Sequence, residues 1–211
     1  MITMLCVLSM VGASAQKYWD GARPNHRFTF GVRAGVNFAK QNNMEDGADN
    51  DFRTGFHVGL SADVNIVQSF SINTGVTYSQ KGYKTEYADY RGSNDTEDNA
   101  AYVQIPLLAS YRVALSDDAQ FQINVGPYFA FGVAGDLKVK NTFENGESYT
   151  KDSFDEYDGT KKFDTGIAAG VALTYNHLYV GAGYERSLTN VSNTTEKFQN
   201  GCITLTLGYN F

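Results

Sequence analysis

Two-residue alternation of apolar with small or polar side chains runs through most of this chain, and no other feature limits its fold as strongly. In the last ten residues Ile203, Leu205, Leu207, Tyr209 and Phe211 fall on one face, and Cys202, Thr204, Thr206, Gly208 and Asn210 on the other. Successive side chains of an extended strand point to opposite faces, so this pattern specifies a β-strand with one oily side. Eight such runs occur, at 27–39, 52–67, 70–84, 101–115, 121–135, 162–175, 178–188 and 198–211. The first two are the clearest. Phe28, Phe30, Val32, Ala34, Val36 and Phe38 oppose Arg27, Thr29, Gly31, Arg33, Gly35 and Asn37, and Phe56, Val58, Leu60, Ala62 and Val64 oppose Gly55, His57, Gly59, Ser61 and Asp63.

The connections between runs alternate in length. Short ones fall at 68–69, 116–118 and 176–177, and long ones at 40–51, 85–100, 136–161 and 189–197. Short turns on one rim and long loops on the other are the pattern of barrels that cross an outer membrane. The body of the chain has no apolar stretch near the roughly 20 residues a spanning helix needs, whereas several runs exceed the roughly 9–11 residues that carry a strand across. The non-oily face is rich in Gly, Ser, Thr and Asn, which suits a crowded barrel interior better than the charged outer surface of a lipocalin-like soluble barrel. The expected fold is all-β: an eight-stranded antiparallel up-and-down transmembrane β-barrel with short periplasmic turns and long extracellular loops, its apolar face turned to lipid.

The N-terminus reads as a secretory leader. Residues 2–11 are apolar, and Ala13-Ser14-Ala15 offers the small residues a signal peptidase reads, which predicts cleavage after Ala15. The expected organisation is therefore a signal peptide over 1–15, a periplasmic segment over 16–26 and the barrel over 27–211. No Lys or Arg precedes Lys17, so the leader lacks a positive n-region, and the residue before Cys6 is Leu5 where a lipoprotein needs a small residue. Removing the leader leaves Cys202 as the single cysteine and excludes an internal disulfide.

Aromatic residues gather at the ends of the runs: Phe28, Phe70, Tyr111, Phe121, Tyr209 and Phe211 toward the periplasm, and Phe38, Phe52, Tyr78, Tyr102, Phe131 and Phe163 toward the other rim. Two such belts are expected where rings sit at bilayer interfaces. The segments Tyr102-Val103-Gln104-Ile105-Pro106-Leu107-Leu108 and Asn124-Val125-Gly126-Pro127-Tyr128 resemble the PorT-like outer-membrane β-barrel family. Phe30-Gly31-Val32-Arg33-Ala34-Gly35-Val36-Asn37, Gly55-Phe56-His57-Val58-Gly59-Leu60, Ser79-Gln80-Lys81-Gly82 and Leu188-Thr189-Asn190 extend the similarity, while Arg186-Ser187 stands where a glycine is expected. The resemblance implies eight strands and, for some members, a part in protein secretion. Pro106 lacks a ladder donor, so its strand should carry a bulge or a missing hydrogen bond.

An eight-stranded barrel is just wide enough for side chains to fill it. The charges assigned to the lumen are Arg27, Arg33, Arg53, His57, Asp63, Lys81, Arg112, Asp164 and Glu185. Counting along the strands puts Arg53, Lys81, Asp164 and Glu185 toward the outer rim and Arg27, Asp63 and Arg112 toward the periplasm. Unpaired charges there are costly, so ion-pair networks plugging the barrel at two levels are expected, with a gate or proton path as the functional alternative. His57, Ser61 and Asp63 share a face, but residues two apart on a strand are separated by nearly 7 Å and cannot share a catalytic hydrogen bond. No catalytic, cofactor or metal motif is present, and the chain is expected to be non-enzymatic and without a cofactor.

The four long loops hold 17 of the 23 Asp and Glu residues. Clusters such as Asp46, Asp49 and Asp51, or Asp152, Asp155, Glu156 and Asp158, lack EF-hand spacing and read as solvated acidic loops. An acidic rim disfavours nucleic acid and suits divalent cations bridging to lipopolysaccharide. Within 136–161, Phe143, Tyr149, Phe154 and Tyr157 are candidate contacts for a protein partner. The functional expectation is a structural, interaction or secretion-accessory protein of the outer membrane, with a small-solute or ion channel as the alternative.

Overall fold

A computed structural model describes residues 26–42, 49–89, 92–142, 147–154, 161–189 and 199–211. The expected leader and residues 16–25 lie outside these, as do Phe143 and Tyr157. The described residues form thirteen strands: β1 Phe28–Asn42, β2 Asp49–Asp51, β3 Arg53–Val67, β4 Phe70–Gln80, β5 Tyr83–Asp89, β6 Gly92–Asp98, β7 Ala101–Ala114, β8 Ala119–Ala134, β9 Asp136–Asn141, β10 Tyr149–Asp152, β11 Phe163–Tyr175, β12 Leu178–Ser187 and β13 Gln199–Asn210. Eight of them close a barrel in the order β1-β13-β12-β11-β8-β7-β4-β3, with β3 returning to β1. Every neighbouring pair is antiparallel.

The eight barrel strands coincide with the eight alternating runs to within a few residues, because period-2 patterning fixes both the strand and its facing. Phe30 is 58% exposed and Leu205 48%, whereas Asn37, Ser71, Ser110 and Asp164 are fully buried. The oily side therefore faces outward around the whole wall, and the polar side fills the middle. The short turns behave as short turns should. Asn176, in the two-residue link between β11 and β12, takes φ of 51°, a left-handed conformation that asparagine tolerates.

Pro106 removes ladder bonds without adding a residue. The β4–β7 pairing is interrupted between Thr74↔Leu107 and Thr77↔Gln104, yet the register is the same on both sides of the gap. Thr74 Oγ1 donates to the Pro106 carbonyl at 2.8 Å across this gap. The register shifts lie elsewhere, between Asn65 and Val67 and between Ala101 and Tyr102.

The long connections hold the main departure from expectation. The segments 40–51, 85–100 and 136–161 were expected as loops, but they contribute a second, five-stranded sheet in the order β10-β9-β6-β5-β2. The third run does not pass unbroken to residue 84. It breaks at Lys81-Gly82, where Gly82 has φ of 147° and a Cβ would collide with the Asp98 carbonyl, so only glycine fits. Lys81 N–H donates to the Ala100 carbonyl and Asn99 N–H to that of Asp136, tying the upper sheet to the barrel rim. The register sets Lys84, Glu97 and Lys138 directly across from one another, and likewise Asp49, Glu86 and Asp95. Opposite charges directly across a ladder support pairing and like charges oppose it, so the sheet contains both kinds of cross-strand row.

Candidate functional site

The lumen gathers most of the chain's chemistry. At its outer end Lys81, 1% exposed, sends its Nζ to Glu185 Oε2 at 2.7 Å and to Gln104 Oε1 at 2.7 Å. Gln104 Nε2 in turn donates to Glu185 Oε1 at 2.7 Å, so amide, ammonium and carboxylate close a three-membered ring of contacts. The ammonium also stands 4.3 Å from the Tyr128 ring centroid, a cation–π contact in a desolvated setting. Arg53 caps this group from above. It reaches Glu97 at 3.6 Å, the Lys81 carbonyl at 3.4 Å and the Asn99 side chain.

Asp164 departs from the expected ion-pair role. It is fully buried, and its partners among the described residues are hydroxyls: Ser187 at 2.5 Å and Thr189 at 3.0 Å donate to Oδ1, and Tyr128 at 3.2 Å to Oδ2. Charge-assisted hydrogen bonds of this kind hold a carboxylate without a cation in direct contact.

Midway down, His57 is held by its neighbours rather than free to act. Nδ1 lies 2.7 Å from Asn37 Oδ1 and Nε2 3.1 Å from Thr206 Oγ1, while Asn37 Nδ2 donates to Ser79 Oγ and to the Phe56 and Gln80 carbonyls. A cavity of about 150 Å³ opens here, with Arg33, His57, Ser61, Tyr179 and Glu185 among its lining residues. Arg33 stacks 3.9 Å from the Tyr179 ring and donates to Asn210 Oδ1 at 2.7 Å.

At the periplasmic end Arg112 pairs with Asp63 at 3.0 Å and donates to Asn65 Oδ1 at 2.6 Å, and Asn73 Nδ2 donates to Asp63 at 2.9 Å. Below this level a vestibule of about 670 Å³ opens between the short turns, with Asp63 and Arg112 in its lining. Arg27 does not join the network. It precedes the first barrel strand and is exposed at the rim, where its carbonyl accepts the Asn65 N–H. His57, Ser61 and Asp63 share no hydrogen bond, since the first is committed to Asn37 and Thr206 and the last to Arg112 and Asn73.

Two expectations for aromatic residues need correction. Tyr102, assigned to the outer belt, faces inward on the same side as Gln104 and is completely buried. Phe154, assigned to partner contact, is only 7% exposed. Its ring meets that of Tyr102 edge-on at 5.5 Å and lies against Gly132, so it closes the mouth of the barrel. Tyr149 is half-exposed on β10 and remains accessible. Asp152, proposed for an acidic loop, accepts the Phe154 N–H at 2.8 Å and so shapes the turn that inserts the ring. In the upper sheet, burial beside Asp98 pushes the Tyr83 hydroxyl up to about 12. Tyr128, Tyr179, Gln104 and Ser187 were missed as lumen residues, whereas Asn37 lies on the inward face assigned to it. The inward parity shared with Lys81, Arg33 and Asp164 on neighbouring strands was the signal that would have found them.

No curated protein sequence matches the chain. Solved structures with some similarity include Ail, the attachment invasion locus protein of Yersinia pestis (16% identity, 88% of this chain and 100% of that one, TM-score 0.45). Others are Neisserial surface protein A (16%, 86% and 97%, TM-score 0.42) and the outer membrane protein OprG of Pseudomonas aeruginosa (11%, 90% and 98%, TM-score 0.43). The model of the outer membrane protein beta-barrel domain matches residues 14–193. With that match over most of its length and eight strands closed around a polar core, the chain belongs to the outer membrane protein beta-barrel domain family.

Proposed function

We propose that this outer-membrane barrel works without catalysis, as an interaction or secretion-accessory protein that meets its partners above the membrane while its lumen stays plugged. The observation carrying this reading is the contrast between the two ends. Lys81–Glu185 and Arg112–Asp63 cross the lumen at separate levels. Above them the chain invests five strands in an extracellular sheet that the barrel itself does not need. The half-exposed Tyr149 on the β10 edge is the best-placed side chain for a protein contact. Resemblance to the PorT-like branch supports the secretion-accessory role, and the small-residue site at Ala13-Ser14-Ala15 supports export through a cleaved leader in a Gram-negative envelope.

The second reading, an ion or small-solute channel gated by the lumenal charges, draws on the lumenal cavity of about 150 Å³ and the vestibule of about 670 Å³. Planar-bilayer recordings separate the two. A silent bilayer, with partners recovered by cross-linking from Tyr149→p-benzoylphenylalanine in cells, is the expected result. Steady current steps that change when Arg53 or Glu185 is neutralised would replace the first reading with the second.

A further inference from the structure

The periplasmic mouth of the barrel is a vestibule of about 670 Å³, within the roughly 300–1,000 Å³ range of pockets that hold a ligand. Its charge is one-sided. Asp63 and Arg112 pair with each other at its inner end, which leaves Asp117 and Asp118 on the β7–β8 turn, both exposed and both without an ion-pair partner among the described residues. Thr174, 5% exposed, borders the same space, and its hydroxyl meets no hydrogen-bond partner among the described residues.

The chain enters β1 from this vestibule. His26 is in its lining, and Asn65, an inward residue of β3, holds the His26 carbonyl with Nδ2 at 2.8 Å and donates its backbone N–H to the Arg27 carbonyl at 2.9 Å. These two bonds fix the point from which residues 16–25 depart. Around the barrel β8 stands four places from β1 by one route and β7 three by the other, so the acidic turn lies across the mouth from that point. Eight strands spaced about 4.8 Å and tilted about 40° enclose a ring roughly 16 Å wide. Trp19 is seven residues from His26 and Lys17 nine, reaches of up to about 23 and 30 Å at roughly 3.3 Å per residue. The segment is long enough to cross.

Its composition suits what it would meet. Gln16-Lys17-Tyr18-Trp19-Asp20-Gly21-Ala22-Arg23-Pro24-Asn25 carries two cations against one acid, opposite in sign to the turn, and Tyr18 and Trp19 supply apolar bulk that gains by leaving water. An occupant tethered at the rim has a high effective concentration there, so modest contacts hold it.

We propose that residues 16–25 fold back across the periplasmic mouth and occupy the vestibule, with Lys17 and Arg23 drawn to Asp117 and Asp118 and the Trp19 ring withdrawn from water. The barrel then carries a third closure, supplied by its own N-terminal segment, below Arg112 and Asp63. This closure is independent of what the upper sheet binds.

Trp19 is the chain's single tryptophan, so its fluorescence reports on the segment directly. The test is acrylamide quenching of the full-length protein, purified from membranes and held in phosphatidylcholine nanodiscs. The wild-type ring should be shielded relative to N-acetyltryptophanamide. Lys17→Glu/Arg23→Glu, and separately Asp117→Lys/Asp118→Lys, should each raise the quenching constant about threefold, the scale of two lost surface ion pairs. Combining the four substitutions should restore the shielding, while Lys138→Glu in the upper sheet should change nothing. Heat-modifiable gel migration verifies that every variant is folded. Quenching of the wild type as free as that of N-acetyltryptophanamide would overturn the proposal, as would shielding that both charge reversals leave intact or that the combined variant fails to recover. Strong quenching by bromine-labelled phosphatidylcholine would put the ring in the bilayer interface and overturn it too. Each of these failures leaves the extracellular reading standing, since cross-links from Tyr149 decide that one.

Discussion

Lys81 and Glu185 show how a single side chain can decide the stability of this lumen. Removing one partner of a buried pair leaves the other charge stranded, at a cost of about 3–5 kcal/mol. Lys81→Met should therefore destabilise the barrel by that order, because it leaves Glu185 with Gln104 as its remaining side-chain partner among the described residues. Arg112→Met should cost less, since Asp63 keeps Asn73 and borders a vestibule wide enough for water. Urea titration in phospholipid vesicles, followed by the gel shift between folded and unfolded forms, ranks the two. On the outer surface Leu205→Arg should cost about 2–4 kcal/mol by the same assay, and Thr204→Ser almost nothing. Equal losses at 204 and 205 would contradict the assignment of faces. These facings were legible in the sequence because a period of two leaves no ambiguity once one side is glycine, serine and threonine. Arg27 was misread because parity says nothing about where a strand begins. Asp164 lies in the lumen as expected, but its partners were not foreseen, because hydroxyls such as Ser187 and Thr189 leave no charge signal.

Among the elements, the upper sheet is the part the sequence concealed. Segments such as Ser93-Asn94-Asp95-Thr96-Glu97 have no oily side, so a search for hydrophobic alternation passes over them. Their order rests on the backbone ladders with β5 and β9 and on the joint at Gly82. Gly82→Ala should loosen that joint, raising hydrogen exchange at 83–98 while the barrel strands keep their protection. Unchanged exchange would mean that the joint tolerates a side chain. The turn after β10 poses a separate question, since an aromatic residue in a charged loop reads as a docking residue until its burial is seen. Phe154→Ala should uncork the outer mouth. In a Cys6→Ser background Cys202 is the sole thiol, buried on the row of Ala39 and Glu185 inside the lumen. Its reaction with a small charged methanethiosulfonate added from outside should speed up at least tenfold in the Phe154→Ala protein, and an unchanged rate would show that the ring is not the barrier.

For the whole molecule, strand count, facing and the position of both rims followed from the run lengths and the alternation of short and long links. The closing contact between first and last strands is the feature with the widest reach. Pairs run from Gly31↔Asn210 to Asn42↔Gln199, so the wall is sealed by segments from opposite ends of the polypeptide. Until residues 199–211 arrive, β1 and β12 each present an unsatisfied edge, which hydrocarbon does not tolerate and which invites pairing with other chains. Insertion into the bilayer must therefore wait for residues 199–211 to be synthesised and delivered. A chain stopped before residue 199 should never acquire protease resistance and should accumulate bound to chaperones on the near side of the membrane.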